Sequence, residues 1–201
     1  MRDNTVNLKK RRFLLAATAA MGGAGVVLAA TPFVLSMTPS ARAKAEGGPV
    51  EVDIGKLQED QLLTVEWRRK PVWILRRPPA MLASLEGLAE ILADPQSKMQ
   101  SQQPPYARNL HRSLRPEVLV LLAVCTHLGC VPAQHVEPGT VSGLGESWPG
   151  GFFCHCHGSK FDLAGRVFKN VPAPTNLVPP PYCFASDTRI VLGEDPVGGN
   201  A

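Results

Sequence analysis

Two short segments carry four of the five cysteines and three of the five histidines of this 201-residue chain. The first reads Cys-Thr-His-Leu-Gly-Cys over residues 125–130, and the second reads Cys-His-Cys-His-Gly-Ser over residues 154–159. Taken as one site, they offer Cys-x-His from one loop and Cys-x-x-His from the other. Such a set can hold one zinc ion, or a [2Fe–2S] cluster with two thiolates on one iron and two imidazoles on the other. The fold must therefore bring these two loops together.

The other two cysteines of these segments, Cys130 and Cys156, favour the cluster over the zinc ion. Each lies beside the candidate ligands of its own loop, so a Cys130–Cys156 disulfide would hold the loops together over the metal. A structural zinc site gains little from such a link, whereas a cluster at the tip of a domain gains a good deal. A zinc-stabilised binding module without redox activity remains the first alternative.

The paired motifs C-T-H-L-G-C and C-x-C-H-G-S resemble those of the Rieske iron–sulfur subunits of bacterial cytochrome bc complexes, the ubiquinol–cytochrome c reductases. The resemblance covers the whole chain, because the leader, the two loops and a later Val-Pro-Ala-Pro segment at 171–174 follow in the expected order. It implies one Rieske [2Fe–2S] cluster, with Cys125 and Cys154 on the inner iron and His127 and His157 on the outer iron. A Rieske carrier of the ferredoxin or oxygenase type is the second alternative, but such carriers lack the two additional cysteines and the anchor.

The resemblance also implies a role and partners. The chain is expected to be the electron-transfer subunit of a proton-translocating quinol–cytochrome c oxidoreductase, taking an electron from quinol and passing it to a c-type cytochrome. His157 is expected to accept the quinol hydrogen bond and proton, with His127 as its exposed companion. A membrane cytochrome b must complete the quinol pocket, so the isolated chain is not expected to turn over quinol. The complex is expected to be dimeric.

Residues around the ligands agree with the family pattern in part. Ser159 corresponds to a serine that donates a hydrogen bond to a bridging sulfide, and Pro172 belongs to a proline loop that covers the cluster. Phe161 stands where high-potential members carry a tyrosine, so a lower reduction potential is expected. His155 stands where many members carry proline and is a rival ligand, but the Cys-x-x-His spacing favours His157.

The charge of the chain is concentrated at its N-terminus. Five basic residues and one acidic residue before position 13 account for the whole formal charge of +4. The remainder is neutral, which leaves no basic surface for nucleic acid on the folded domain. The segment Lys10-Arg11-Arg12-Phe13-Leu14 resembles a twin-arginine export signal, a route for folded proteins that suits a cluster inserted before export.

An apolar segment follows this basic cluster. No charged residue occurs from Leu14 to Met37, which as a helix is long enough to cross a ~30 Å hydrocarbon core. A cleaved signal peptide is the alternative, since Ala41-Arg42-Ala43 offers a cleavage-like site. The length of the segment favours a retained single anchor in the bacterial inner membrane. The basic residues place the N-terminus in the cytoplasm and the domain in the periplasm, where disulfides form.

The chain therefore divides into four parts: a basic N-terminus over 1–12, an anchor over 13–37, a flexible hinge over 38–49 and a periplasmic Rieske domain over 50–201. The cluster-binding subdomain is expected at about 123–180. Strand patterns at 50–54, 62–67, 70–75, 118–124 and 189–192 predict a mainly β fold, an antiparallel multi-sheet sandwich. Helical spacing over 79–94 predicts one helix against the sheet.

The remaining thiol and histidines are predicted to have structural roles. Cys183 has no partner once the other four cysteines are assigned, and is predicted to be a buried free thiol. His111 and His135 lie outside both loops and are predicted to be surface or structural residues.

Overall fold

The structure, a computed structural model, describes residues 7–40 and 47–196. It contains two compact units, which divide between residues 45 and 46. The predicted hinge over 38–49 thus lies partly outside the described residues, as do the first six residues and the last five.

The first unit is one helix, α1 (Leu8–Ser36). Within the described residues it is the one helix long and apolar enough to cross a membrane. The helix starts before the predicted anchor, because the Asn7 side chain caps it by accepting a hydrogen bond from the Lys10 N–H. The hydroxyls of Thr18 and Thr31 donate to the carbonyls of Leu14 and Val27, so both polar groups are satisfied within the helix.

The second unit is built from three antiparallel three-stranded sheets, as the mainly β prediction requires. Their orders are β1-β9-β8, β2-β3-β4 and β5-β6-β7. The strands are β1 (Val50–Asp53), β2 (Leu62–Trp67), β3 (Lys70–Arg76), β4 (Val118–Leu122), β5 (Ala133–His135), β6 (Gly151–Cys154), β7 (Ser159–Phe161), β8 (Tyr182–Ser186) and β9 (Arg189–Leu192).

The sheet β2-β3-β4 lies between two hydrophobic cores. In β3, Val72 and Ile74 face the core formed with β1, β8 and β9, whereas Trp73 and Leu75 face the core formed with β6 and β7. Successive side chains of a strand point to opposite faces, so a sheet covered on both faces needs apolar residues at every position. This is why the sequence from 118 to 122 is continuously apolar.

The third sheet carries the second cysteine–histidine motif and packs against this middle sheet. Trp73 of β3 stacks on Phe152 of β6, with ring centroids 4.8 Å apart and an interplanar angle of 22°. Two residues separate the end of β4 from the first motif, which starts at Cys125. Cys125 and Cys154 belong to the same hydrophobic core, so one core supports both loops.

Two sequence predictions about the second unit are wrong in detail. The helix predicted over 79–94 is the short α2 (Pro79–Ser84), followed by a turn with Gly87 at φ +76°. Beyond it the backbone pairs with residues 167–169 instead: Ala93 N–H donates to Val167 O, and Lys169 N–H to Ile91 O. Cys183 on β8 is a free thiol, but it is half-buried rather than buried.

Candidate metal centre

The two cysteine–histidine segments form turns of the same construction. In the first, Gly129 N–H donates to Cys125 O at 2.9 Å, and in the second Gly158 N–H donates to Cys154 O at 2.9 Å. Both glycines have positive φ, +85° and +79°, a conformation that a residue with a Cβ adopts only at a cost. A histidine lies inside each turn, two or three residues after the cysteine.

Each turn is anchored to regular structure at its base. The first is closed by a hydrogen bond of 2.7 Å from Cys125 N–H to Cys130 O. The second connects β6 to β7, with Cys154 paired opposite Ser159 in the ladder. The backbone therefore holds both cysteines at the edge of the core, while the intervening residues project from it.

A disulfide between Cys130 and Cys156 joins the two turns, with Cα atoms 6.7 Å apart. The predicted pairing is thus present. The sulfurs of Cys130, Cys154 and Cys156 lie within 4.8 Å of one another. Since two of these sulfurs are bonded to each other, this group leaves Cys154 as the thiol free to bind metal, and the disulfide packs directly beside it.

The free thiols of Cys125 and Cys154 lie together in the core, each 2% exposed. Burial raises the pKa of the Cys154 thiol, while hydrogen bonds from the backbone N–H groups of Cys156 and His157 act in the opposite direction. Two adjacent buried thiols with backbone donors around them suit a soft metal that displaces the protons.

The two histidines of the motifs face each other. The rings of His127 and His157 lie with centroids 4.8 Å apart at an angle of 88°. His127 is half-buried rather than the exposed companion expected, and its Nδ1 is buried without a hydrogen-bond partner among the described residues. His157 is exposed. An unpartnered buried ring nitrogen, in a ring that faces a second imidazole and in the turn that begins at a buried thiol, is typical of a metal ligand, so the donor types fit a His₂Cys₂ cluster.

Hydrogen bonds tie the segment that contains Pro172 to both turns. Ser159 is fully buried, and its Oγ accepts a hydrogen bond of 3.0 Å from Ala173 N–H, which leaves the hydroxyl proton available to donate. Thr126 Oγ1 donates to Thr175 O at 2.7 Å and ties the first turn to the segment that contains Pro172. The sequence analysis did not single out Thr126, because its role depends on a carbonyl 49 residues away.

A buried turn at residues 162–166 follows β7, and the sequence did not predict it. The Asp162 carboxylate accepts hydrogen bonds from the N–H groups of Ala164 and Arg166 and, at 2.7 Å, from Arg166 Nε. Two further buried arginines donate to carbonyls of this turn, Arg77 to Leu163 O and Arg112 to Gly165 O. An Asp-x-x-Gly-Arg sequence is a turn signal, but the distant arginines are found only in the structure.

We expect the disulfide to contribute strongly to the stability of the site. The bond closes a loop of 26 residues' separation, for which the chain-entropy relation gives about 3.5 kcal/mol. Replacing both Cys130 and Cys156 by serine should lower the denaturant midpoint and release iron at lower denaturant concentration. Cys183→Ser, which removes a free thiol of β8, is the matched control and should change neither. Equal midpoints for the double variant and the control would contradict the expectation.

A family model described as "Rieske [2Fe-2S] domain" matches residues 96–181, and one described as "Ubiquitinol-cytochrome C reductase Fe-S subunit TAT signal" matches residues 1–40. The second match agrees with the export signal predicted around Lys10–Leu14.

Proteins of known identity are similar over nearly the whole chain. The ubiquinol-cytochrome c reductase iron-sulfur subunit of Allochromatium vinosum is 55% identical over 190 residues, covering 94% of this chain and 91% of the relative. That of Blastochloris viridis is 42% identical over 193 residues, covering 95% and 96%. Among solved structures, a chain of a hyperthermophilic respiratory complex III is 24% identical with a TM-score of 0.46, covering 89% of this chain and 98% of the other. These sequence relatives show that the chain belongs to the Rieske iron–sulfur subunits of ubiquinol–cytochrome c reductase, and it contains one Rieske [2Fe–2S] domain.

Proposed function

We propose that the chain transfers electrons from quinol to a c-type cytochrome as a subunit of a proton-translocating oxidoreductase, with Cys125, His127, Cys154 and His157 as its four cluster ligands. The observation that carries the proposal is the meeting of two buried thiols and two facing imidazoles at disulfide-linked turns. Two thiolates and two neutral imidazoles make such a cluster less negative than an all-cysteine one, with potentials of roughly −150 to +300 mV.

The two imidazoles have different surroundings, which supports different roles. The exposed ring of His157 can reach a quinol hydroxyl, accept its hydrogen bond and then hold the proton. The half-buried ring of His127 is shielded by its own turn. Ser159 keeps its hydroxyl proton available, so it would donate to a sulfide of the cluster and stabilise added negative charge.

The surface beside the histidines suits an apolar substrate in a pocket completed by another protein. Leu128 is 71% exposed and Val131 is 57% exposed, on either side of the disulfide-bonded Cys130. Contiguous exposed apolar surface is typical of interaction sites, and these neighbouring side chains support one here. We infer that a membrane cytochrome b covers this tip and completes the quinol pocket, that a c-type cytochrome takes the electron, and that the complex is dimeric.

The placement in the cell follows from α1. We infer that the helix stays uncut as a single anchor in the bacterial inner membrane, with the basic residues before Phe13 in the cytoplasm and the Rieske domain in the periplasm. The Cys130–Cys156 disulfide supports this orientation, because disulfides persist in the oxidising periplasm. Residues 38–49 would then be the hinge between the anchor and the domain.

An EPR-monitored redox titration of the purified full chain in detergent, repeated from pH 6 to pH 10, tests the proposal. We expect a rhombic signal with an average g below 2 in the reduced state. The potential should be positive and should fall at alkaline pH if a ligand imidazole carries the proton. A signal whose potential stays constant over this range would refute proton coupling. No signal on reduction, with one zinc ion per chain, would refute the redox function.

The potential should also respond to the residue at position 161. Phe161 is fully buried in the core that contains both ligand cysteines, and a tyrosine there would place a hydroxyl near a cysteine sulfur. A hydrogen bond worth ~1 kcal/mol more in the reduced state raises a one-electron potential by about 40 mV. We expect Phe161→Tyr to raise the potential by about this amount. The control is Phe168→Tyr, since Phe168 stacks on Trp148 instead, and an equal shift in both variants would contradict the explanation.

A further inference from the structure

The structure brings together two histidines that the cluster does not use. His135 ends β5, and His155 lies in the second turn between Cys154 and the disulfide-bonded Cys156. Their Nε2 atoms are 3.3 Å apart, although 20 residues separate them in the chain. The sequence gives no sign of this contact, because the two histidines belong to different elements of the fold.

We propose that His135 and His155 form a second metal site, separate from the cluster, that binds a divalent cation of the kind imidazole prefers, Zn²⁺ above all. With Zn–N bonds of about 2.0–2.1 Å and a tetrahedral angle, two imidazole nitrogens on one zinc ion lie about 3.3–3.4 Å apart. The Nε2–Nε2 distance of this pair therefore already matches the separation of a chelating pair.

Neighbouring groups hold both rings in this orientation. The ring of Phe153 contacts the His155 ring edge-on, with centroids 4.8 Å apart, and the His135 ring at 6.1 Å. The backbone of His135 is paired with Gly151 of β6, and its carbonyl accepts a hydrogen bond of 2.8 Å from Trp148 Nε1. Ligands that are already ordered lose little conformational entropy when a metal binds, which favours binding.

The pair is also open to solvent on its outer side. His155 is exposed and His135 is half-buried, so two coordination positions of a bound ion remain for water or for a group of another molecule. The histidines proposed as cluster ligands are His127 and His157, whose rings face each other. A bound ion would link the end of β5 to the second turn and would leave the cluster ligands in place.

Isothermal titration calorimetry of ZnCl₂ into the purified full chain, carrying its cluster in detergent at pH 8, where imidazole is neutral, tests this site. We expect one zinc ion per chain with the visible absorption of the cluster unchanged. Loss of a group that only orients a metal ligand costs 10–100-fold in affinity, so His135→Gln and His155→Gln should each weaken binding by more than about tenfold. His111→Gln, which removes a histidine outside the pair, should bind zinc as the parent chain does.

The double variant separates a chelating pair from two independent ligands. If the two rings share one ion, the double variant should bind little more weakly than either single variant, because a lone imidazole already holds the ion poorly. Three results would overturn the proposal: no binding to the parent chain, which would leave the pair as a hydrogen bond between neutral rings; unchanged affinity in both single variants; or binding accompanied by bleaching of the cluster.

Discussion

Replacing His157 by glutamine is expected to abolish the rhombic EPR signal, whereas replacing His155 by glutamine is expected to keep it. The two histidines are two positions apart in one turn and are both exposed, so the variants differ little in exposure or in distance from the disulfide. Only His157 faces His127, at 4.8 Å between ring centroids, while His155 is turned toward His135. In His157→Gln the outer iron would keep only one of its two imidazole ligands, so the cluster should not be retained.

Iron analysis and EPR of the reduced full chain measure this difference. We expect two iron atoms per chain in His155→Gln and far less in His157→Gln, as one [2Fe–2S] cluster requires. Far-ultraviolet circular dichroism of both variants shows whether the β structure is retained. The opposite result, with the signal lost in His155→Gln and kept in His157→Gln, would mean that the ligand has been assigned to the wrong histidine.

Asp162→Ala is expected to destabilise the domain by about 3–5 kcal/mol, the usual cost of removing one partner of a buried ion pair. The Asp162 side chain is fully buried, and that of Arg166 is 2% exposed. Removing the carboxylate leaves the Arg166 guanidinium buried without its counter-charge. It also removes the acceptor of two backbone N–H groups in the same turn.

A surface ion pair of the same domain is the matched control. Arg115 and Asp187 are joined at 3.0 Å, but the Asp187 side chain is 94% exposed. Such pairs contribute about 0–1 kcal/mol, so Asp187→Ala should barely move the denaturant midpoint. Unfolding followed by the fluorescence of the buried tryptophans measures both variants. A shift for Asp162→Ala no larger than that for Asp187→Ala would show that the buried pair does not stabilise the turn.

Sequence patterns predicted strands correctly where the pattern is typical of strands alone. The apolar sequence predicted as a buried strand over 118–124 forms a strand over 118–122, and the structure shows that it is covered on both faces. The helix predicted over 79–94 is too long, because apolar residues at helical spacing also occur in turns that pack against the edge of a core. Leu85 and Leu92 are both buried as expected, but the backbone near Leu92 pairs with a segment some 75 residues later.

By itself the sequence determined the chemistry of the centre: the two motifs, the two additional cysteines and the family all follow from residue types at short, fixed spacings. Residues at such short spacings lie within one turn of the backbone, and backbone geometry allows few arrangements of them. Only the tertiary structure decided which side chains from distant segments meet. It brought Arg77 and Arg112 to the carbonyls of the turn at 162–166, tied Thr126 to the proline segment and placed His135 against His155. These contacts depend on how separate sheets pack, which no local spacing records.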